Sequence, residues 1–228
     1  ARVAQADAVR VRRAGREGVA LTLNTAWGRA ELTARLLGQF NAANLMAALT
    51  ALLVSGVPLQ EACAALSHAQ APAGRMQMLG GNGQPLIVVD YAHTPDALEK
   101  VLATLRPLSG EGRLICVFGC GGNRDRGKRP QMGRAAAAGA DLSFVTSDNP
   151  RTEDPAAIIA EILEGVTSGS ARIEPNRARA IFEAVGEAKA NDIVLIAGKG
   201  HEDYQEIQGQ KLPFSDVEVA RKALEAWG

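Results

Sequence analysis

The sequence predicts an α/β protein built on an open, mainly parallel sheet flanked by helices. Two observations carry this prediction: short runs that are apolar on both faces of a strand, and amphipathic helical patterns that alternate with them. Strands buried on both faces are typical of a parallel sheet that helices cover from both sides. The clearest strand runs are "PLIVVDYA", "RLICVFGCGG", "LSFVTSDNPR" and "DIVLIAGKGHE".

The first part of the chain has a different pattern. Residues 1–37 alternate between apolar and polar side chains, with turns at "RAGREG" and "AWGR", and therefore predict an antiparallel meander. Helical spacing begins at Phe40 and stops at Gly56, with Pro58 just beyond, and a second short helix is expected over residues 59–67. The stretch "HAQAPAGR" then indicates a domain boundary.

The elements after this boundary follow from the same periodicities. Amphipathic spacing predicts helices at "TPDALEKVLATLRPL", "KRPQMGRAAAAGA", "PAAIIAEILEGV", "ARAIFEAVGEAKA" and "DVEVARKALEAW". A weak strand is expected in "ARIEPNR" and a hairpin in "YQEIQGQKLPF".

Composition excludes several classes of partner. Lys plus Arg and Asp plus Glu number 25 each, so no overall field favours nucleic acid or a membrane surface. Aromatic residues make up only 4% of the chain, which argues against base-stacking platforms. No apolar run reaches the ~18 residues of a membrane span, and no signal peptide is visible. The three cysteines favour a reduced, cytoplasmic protein, with a zinc site at Cys116, Cys120 and His201 as the weaker interpretation.

The stretch "VFGCGGNRDRGKRP" has the frame of a phosphate-binding P-loop. Gly122 is followed by four residues, Gly127 and Lys128, but the next residue is Arg129, where such a loop needs Ser or Thr for magnesium. On the residues alone, a damaged phosphate cradle, a solvated basic loop and a glycine loop for another ligand all remain open.

Polar or glycine-rich clusters follow four of the predicted strands. Because ligands of parallel sheets bind outside the carboxyl ends of the strands, we expect these clusters to meet at one edge. They supply cations at Arg124, Arg126, Lys128, Arg129 and Arg151, anions at Asp148, Glu202 and Asp203, and an amide at Asn149. A pocket with both signs of charge on glycine turns suits an amino acid or another zwitterion better than a polyphosphate.

Each of these motifs also has a structural interpretation when it is taken singly. "DNPR" is a common entry turn of a helix, and "AGKGHE" is compatible with a phosphate nest or a plain strand-to-helix turn. His93 and His201, considered one at a time, are more often structural than catalytic. The combination of all these motifs at one edge of the sheet favours a binding site.

Six ordered motifs resemble those of the Mur ligases across essentially the whole chain. They are "GQFNAANLMAA", "GRMQ", "VVDYAHTPDAL", "FGCGGNRDRGKRP", "TSDNPRTEDP" and "AGKGHEDYQ". The resemblance implies a three-domain, ATP-dependent, amide-forming enzyme of peptidoglycan synthesis. Residues 74–228 would be its C-terminal, Rossmann-like domain, and residues 1–73 the incomplete end of its central ATP-binding domain, without the P-loop. The loop at Gly122 would then bind an amino acid.

The resemblance is to members that add diaminopimelate, and it implies two groups of site residues. meso-2,6-Diaminopimelate would be bound by Arg124, Asp148, Asn149, Pro150, Arg151, Gly198 and Glu202. ATP would be bound by Asn41, Asn44, Arg75, Asp90, Tyr91 and His93. For the two asparagines and Asp90, the residues alone favour a packed helix face and a capping turn.

The residues predicted to bind diaminopimelate would contact the end of the ligand that does not react. Arg124 and Arg151 would donate hydrogen bonds to the carboxylate of that end, with Asn149 beside them. Glu202 and the Gly198 carbonyl would accept hydrogen bonds from its ammonium. Lysine lacks this carboxylate and would leave the charge of Arg151 unpaired, which rejects it.

The implied reaction is the ATP-dependent addition of meso-2,6-diaminopimelate to UDP-N-acetylmuramoyl-L-alanyl-D-glutamate through an acyl phosphate, with Mg²⁺. No residue of this chain is predicted to be catalytic or to bind a metal. We expect a cytoplasmic monomer, and we expect the 228 residues alone to be inactive, because they contain no P-loop. The alternatives are a relative that adds lysine or D-Ala-D-Ala, and a non-catalytic module that binds an amino acid or a nucleotide.

Overall fold

The computed structural model describes residues 8–166 and 170–228 of the chain. The chain divides into two compact units, unit 1 ending at Ala71 and unit 2 running from Pro72 to Gly228. The predicted meander covers residues 1–37, so its part before Ala8 lies outside the described part of the chain.

Unit 1 contains the antiparallel meander and the helices that the sequence predicts. Its elements are β1 (Ala8–Gly15), β2 (Gly18–Thr25), β3 (Gly28–Ala34), α1 (Phe40–Val54) and α2 (Leu59–Ser67). The inward positions Val19, Leu21 and Leu23 of β2 pack in one cluster with Leu45 and Leu49 of α1. Apolar residues spaced by two in the strand and by four in the helix therefore pack into one core.

Unit 2 confirms the predicted α/β class with a mainly parallel sheet. Its strands are β4 (Gln77–Gly80), β5 (Leu86–Asp90), β6 (Leu114–Phe118), β7 (Leu142–Val145), β8 (Ser170–Ile173), β9 (Ile193–Ala197), β10 (Tyr204–Ile207) and β11 (Gln210–Pro213). Six of them form one sheet in the order β4-β5-β9-β6-β7-β8, in which only the pair of β4 and β5 is antiparallel. β10 and β11 form the predicted hairpin.

β4 is the strand that the sequence patterns did not predict. It has four residues, all of them only partly buried, and it leads into the glycine-rich turn "GGNG". Such a short edge strand shows too little alternation to be distinguished from a loop.

The helices of unit 2 are α3 (Pro95–Ser109), α4 (Lys128–Gly139), α5 (Pro155–Leu163), α6 (Arg177–Glu187) and α7 (Asp216–Glu225). All except α4 begin after a residue whose side chain accepts a hydrogen bond from an amide of the first turn. These caps are Thr94, Asp154, Asn176 and Ser215. α4 instead follows directly from the glycine loop after β6 and has no side-chain cap.

The core of unit 2 lies between the sheet and helices on its two faces. β5, β6 and β9 are buried at every position. Ile87 and Val117 pack with Ile181 of α6 and Leu224 of α7. Alternate strand positions such as Val88 therefore point to the opposite face, where α3 and α4 contact the sheet and α5 packs beside α4.

A buried ion pair joins α6 and α7 to two strand ends. Arg177 donates from Nε and Nη2 to the two carboxylate oxygens of Asp216, both at 2.8 Å. The same guanidinium donates to the Ala197 carbonyl at 2.9 Å and to the Ser147 carbonyl at 3.4 Å. Both side chains are 0% exposed, so each charge depends on the other for compensation.

Arg177→Met should lower the free energy of unfolding of unit 2 by about 3–5 kcal/mol, because it leaves the Asp216 carboxylate buried without a counter-charge. The double variant Arg177→Met/Asp216→Leu should be more stable than the single variant, since both charges are then gone. Urea unfolding can be followed by Trp227 fluorescence in a Trp27→Phe background, because Trp227 packs on the core of unit 2 and donates to the Ala188 carbonyl at 2.8 Å.

Arg221→Met is the matched control for this measurement. Arg221 and Glu218 form an ion pair on the surface of α7, with side chains that are 52% and 59% exposed. Such a pair contributes about 1 kcal/mol or less. A loss of stability in Arg177→Met no larger than that in Arg221→Met would contradict the dependence on the buried pair.

Candidate functional site

The carboxyl ends of β5, β9, β6 and β7 open at one edge of the sheet in unit 2. The loops that follow these strands line a cleft with a volume of about 590 Å³. Tyr91 and His93 come from the loop after β5, Arg124 from that after β6, Asp148 from that after β7 and Glu202 from that after β9. The parallel strand order thus brings distant parts of the sequence to one place.

The glycine loop between β6 and α4 packs against the backbone that follows β7. A Cβ on Gly119 would lie 2.2 Å from the Thr146 carbonyl oxygen, and one on Gly122 would lie 2.0 Å from the Pro150 carbonyl oxygen. Gly122 also donates its N–H to the Asn149 carbonyl at 2.9 Å. The close approach of two loops therefore explains these glycines, and a phosphate is not needed to explain them.

Arg124 is an exposed arginine of this loop, and it lines the cleft. Over residues 8–166 and 170–228, its guanidinium has no hydrogen bond or ion pair. Lys128, the first residue of α4, lines the cleft as well. An arginine with unfilled donors beside a cleft is suited to a carboxylate, which it can bind through two parallel hydrogen bonds.

Arg126 and Arg129 are outside the lining of the cleft, which corrects the expectation that all of the loop's cations meet there. Arg129 is buried and donates to both oxygens of Glu153 at 2.8 and 2.9 Å and to Glu161 at 2.8 Å. Arg126 also pairs with Glu161. Hydrogen bonds from Arg129 and the Asn123 backbone lower the pKa of Glu153 to about 2. These cations tie the start of α4 to α5 and the segment before it.

Asn149 organises the cleft from within. Its Oδ1 accepts hydrogen bonds from the Lys199 ammonium at 2.8 Å and from the Glu206 backbone at 2.9 Å. Its Nδ2 donates to Glu202 at 2.8 Å. Because a carboxylate only accepts hydrogen bonds, a direct bond from this amide to a ligand carboxylate would use the second hydrogen of Nδ2.

Arg151 lines the cleft and also holds two neighbouring segments. Its Nη1 donates to the Gly122 carbonyl at 2.7 Å, and its Nε lies 3.3 Å from a carboxylate oxygen of Glu206. Its backbone N–H donates to the Glu206 carbonyl at 3.0 Å, and its carbonyl accepts from Gln208 at 2.6 Å. Its φ of 52° is left-handed, which a residue with a side chain adopts where its surroundings compensate the strain.

Asp148 and Glu202 are carboxylates whose surroundings shift their pKa values in opposite directions. Burial raises the pKa of Asp148, although Arg177 and Lys199 oppose this shift. Burial also disfavours ionisation of Glu202, but hydrogen bonds from Asn149 and Lys199 outweigh it and lower the pKa of Glu202. Glu202 is therefore held as a carboxylate, whereas Asp148 takes up a proton at a higher pH than an ordinary aspartate does.

Most of the residues predicted to bind diaminopimelate lie together. The cleft is lined by Arg124, Asp148, Asn149, Arg151, Gly198 and Glu202. Pro150 lines a neighbouring groove instead. Gly198 brings the loop after β9 against Asp148: its φ is 118°, and a Cβ there would lie 2.5 Å from Asp148 Oδ2.

The residues of unit 2 that were predicted to bind ATP divide into two kinds. Tyr91 and His93 line the cleft with ring centroids 4.7 Å apart, and the Arg75 guanidinium lies 5.4 Å from the Tyr91 ring. Asp90 has its carboxylate engaged by the backbone N–H groups of Met76 at 2.8 Å and Ala92 at 2.9 Å. The turn interpretation therefore accounts for the Asp90 side chain.

Asn41 and Asn44 lie one turn apart on α1 of unit 1. Asn41 Nδ2 donates to the Leu37 carbonyl at 2.7 Å, and Asn44 Nδ2 donates to Asn41 Oδ1 at 3.1 Å. Asn44 is exposed and Asn41 is half-buried. Their spacing puts both amides on one helix face, as the sequence indicates.

Several residues of the cleft escaped the sequence reasoning. Lys199 donates to the groups that organise it, and Tyr204 and Cys120 line it. Lys199 stands between two glycines after a buried strand, and this placement was the available signal. Cys120 stays a neutral thiol, because burial raises its pKa to about 12.

The described residues offer neither a cluster of metal ligands nor a membrane-spanning helix. Within the described part of the chain, no group of three or more His, Cys, Asp and Glu side chains is placed to hold a metal ion. Among the helices of residues 8–166 and 170–228, none has both the length and the apolar character needed to span a bilayer.

Comparison with known proteins finds a family and many relatives. Residues 74–200 match the family described as "Mur ligase, glutamate ligase domain". The curated UDP-N-acetylmuramoyl-L-alanyl-D-glutamate–2,6-diaminopimelate ligase of Chromobacterium violaceum is 55% identical over 213 residues, which are 93% of this chain and 43% of that protein. The protein of the same name from Pseudomonas aeruginosa is 53% identical over 216 residues, 94% of this chain and 44% of its own length.

Solved structures give the same result. A structure titled as that of UDP-N-acetylmuramoyl-L-alanyl-D-glutamate–2,6-diaminopimelate ligase is 44% identical, with a TM-score of 0.75, and the match covers 93% of this chain and 44% of that one. A folylpolyglutamate synthase from Thermotoga maritima, 21% identical with a TM-score of 0.66 over 83% of this chain and 43% of its own, shares the fold alone.

The chain therefore spans less than half of the length of these relatives. The family match nonetheless covers more than half of the 228 residues, and it includes the loops after β5, β6 and β7 that line the cleft. The chain belongs to the Mur ligase family.

Proposed function

We propose that the protein acts in the ATP-dependent addition of meso-2,6-diaminopimelate to UDP-N-acetylmuramoyl-L-alanyl-D-glutamate during peptidoglycan synthesis. Unit 2 would bind the diaminopimelate. The observation that carries the proposal is the cleft in which the unpaired guanidinium of Arg124 accompanies the carboxylates of Asp148 and Glu202. The names of relatives that are 53–55% identical to this chain support the same substrate.

A ligand with an amino-acid group at each end matches the charges of this cleft. Arg124 would bind the carboxylate of the non-reacting end, and Arg151 would contribute its remaining donors. Glu202 and the carbonyl of Gly198 would hold the ammonium of that end, with Asp148 beside them. The amine at the other end then stays available to attack, so the contribution of unit 2 to catalysis is proximity and orientation.

Selectivity against lysine would come from the same contacts. Lysine offers the distant ammonium but no distant carboxylate, so Arg124 would face the cleft without a counter-charge. Arg151 is half-buried against the glycine loop and the hairpin, and its position is therefore fixed before a ligand arrives. Glu206 already pairs with Arg151, which corrects the expectation that lysine would leave the Arg151 charge unpaired, so the preference against lysine is assigned to Arg124.

For the nucleotide, we propose Arg75, Tyr91 and His93 as contacts in unit 2, and Asn41 and Asn44 in unit 1. The Tyr91 ring and the nearby guanidinium fit the aromatic base and the anionic part of a nucleotide in their chemistry. Asp90 would act by holding the backbone next to Arg75. ATP, when bound, supplies the phosphate that turns the receiving carboxylate into an acyl phosphate.

Residues 1–73 would be the end of a central ATP-binding domain, and residues 74–228 the C-terminal domain. A requirement for Mg²⁺ is proposed for the whole protein, although the described residues contain no cluster of three or more His, Cys, Asp or Glu side chains placed to hold a metal. A cytoplasmic location and a monomeric state belong to the same proposal.

The 228-residue chain should bind meso-2,6-diaminopimelate at least about tenfold more tightly than L-lysine, because one charge-assisted hydrogen bond contributes roughly 1.5–3 kcal/mol. Arg124→Met should remove most of this preference by removing the partner of the distant carboxylate. Isothermal calorimetry with both amino acids measures it. Arg134→Met, an exposed arginine of α4, is the control, and equal affinities for the two ligands in the unaltered chain would refute the substrate assignment.

The affinity for meso-2,6-diaminopimelate should fall as the pH is lowered. The raised pKa of Asp148 means that this carboxylate takes up a proton first, whereas Glu202, with its lowered pKa, stays ionised. Affinity should therefore be full above the pKa of Asp148 and decline below it. In Asp148→Asn the binding should be weaker and should lose this decline, as calorimetry between mildly acidic and neutral pH can measure. An identical decline in both proteins would assign it to another group.

The 228-residue chain alone should not release phosphate from ATP in the presence of both amino-acid and UDP-linked substrates. Its sequence contains no Gly-x-x-x-x-Gly-Lys-Ser/Thr motif to bind the transferring phosphates. A coupled phosphate assay tests this directly. Turnover that depends on diaminopimelate would show that these residues hold a complete catalytic centre.

A further inference from the structure

Lys199 is a buried lysine at the inner side of the cleft. Its side chain is 0% exposed, although Gly198 before it and Glu202 after it line the cleft. Its ammonium donates to Asn149 Oδ1 at 2.8 Å and to Glu202 Oε2 at 3.0 Å, and lies 3.9 Å from Asp148 Oδ1. One ammonium thus contacts three side chains that line the cleft.

The backbone on both sides turns this lysine inward. Gly198 has a φ of 118° and Gly200 a φ of 55°, so left-handed glycines flank Lys199. A Cβ on Gly198 would lie 2.5 Å from Asp148 Oδ2, and one on Gly200 would lie 2.8 Å from the Cβ of Tyr91. The loop therefore packs closely against two of the other loops of the cleft.

The charges around Lys199 do not cancel. The groups whose charges act on Asp148 are the cations Arg177 and Lys199 and the carboxylates Asp216 and Glu202. When all are ionised, two cations face three carboxylates, including Asp148 itself, and one negative charge remains. Arg151 also acts on Glu202, but it is paired with Glu206. A ligand cation that reaches this inner group would balance its excess carboxylate.

We propose that Lys199 is the positioning residue of this cleft, which fixes Asn149 and Glu202 and fills the inner cation position so that the cleft accepts one ligand ammonium. The second oxygen of Glu202 and the Gly198 carbonyl then receive that ammonium at a defined depth. The inference rests on the proposed function, because it takes the ligand to be an amino acid whose non-reacting ammonium enters here.

The role differs from that of a lysine that merely fills space. Without its charge, Asp148 and Glu202 would repel each other across the vacated position, and a ligand ammonium could move inward to replace the lost one. The distance from the ligand to Arg124 would then change. A neutral polar replacement keeps most of the side-chain volume and removes the charge, so Lys199→Gln separates the two roles.

A carboxylate titration tests the electrostatic part of the inference without any ligand. In ¹³C NMR spectra of the 228-residue chain, the pKa of Glu202 should rise in Lys199→Gln, because the lysine's hydrogen bond and charge lower it in the unaltered protein. Lys222→Gln, an exposed lysine of α7, is the matched control. An unchanged Glu202 pKa in Lys199→Gln would overturn the inference.

Calorimetry with meso-2,6-diaminopimelate tests the binding part. Lys199→Gln should weaken binding at least about tenfold, because a ligand whose ammonium moves inward would lose one charge-assisted hydrogen bond to Arg124. Glu202→Gln should weaken binding less in the Lys199→Gln background than in the unaltered chain, since the two groups act as a unit. Independent, multiplicative effects would mean that Lys199 is only structural, and unaltered binding in Lys199→Gln would overturn the inference as well.

The two measurements distinguish a failure of the proposed function from a failure of the role proposed for Lys199. If the unaltered chain does not bind meso-2,6-diaminopimelate, the proposed function fails, and the Glu202 titration still decides whether Lys199 sets the charge of the cleft. If Lys199→Gln does not fold, the ¹⁵Nζ resonance of Lys199 in the unaltered chain replaces it. That resonance should shift as Glu202 titrates and as diaminopimelate binds, and a resonance unmoved by both would overturn the inference.

Discussion

The buried guanidinium of Arg177 is the contact on which the geometry of the cleft depends. It bonds to the carbonyls of Ser147 and Ala197, the residues that directly precede Asp148 and Gly198, and it is neutralised by Asp216 at the start of α7. One side chain therefore sets the spacing between the ends of β7 and β9, strands that β6 separates in the sheet. A parallel sheet brings strand ends to the same edge, but their loops still need a common anchor to hold a fixed separation.

Most polar and charged side chains around the cleft of unit 2 are bonded to other groups of the protein. Asn149 binds Lys199 and Glu202, and Arg151 binds the glycine loop and the hairpin. Arg124 stands apart, because it has no partner within the described residues. This distribution is expected for a preorganised binding site. Most of its polar groups hold one another in position, and few remain free to bind the ligand.

The sequence predicted the architecture well because its signals were local. Doubly apolar strands, capped helices and the hairpin are each visible within a short window, and the parallel order follows from their alternation. The four-residue strand β4 was missed because an edge strand beside a glycine turn has no such signal. The fold class was enough to predict that the strand ends converge at one edge. It was not enough to predict which groups each side chain bonds to.

The fate of particular charges could not be predicted from spacing. Arg129 and Lys128 are adjacent in the sequence, yet the helix turns the first toward Glu153 and Glu161 and leaves the second at the cleft. Lys199 lies in the loop motif "AGKGHE", but its role could not be predicted, because burial of an ammonium depends on Asn149 and Glu202, one of which lies 50 residues away. Such contacts are properties of the packed structure and not of any one segment.

Cys120 has a consequence for chemical attack on this cleft. Cys120 lines the space that a ligand would fill, but burial and the nearby Asp148 charge raise the pKa of its thiol and keep it protonated. Electrophiles and peroxides react with the deprotonated sulfur, so this residue is a slow target despite its place. Compounds aimed at the cleft would therefore have to gain affinity from reversible contacts with its arginines and carboxylates and not from a covalent bond to sulfur.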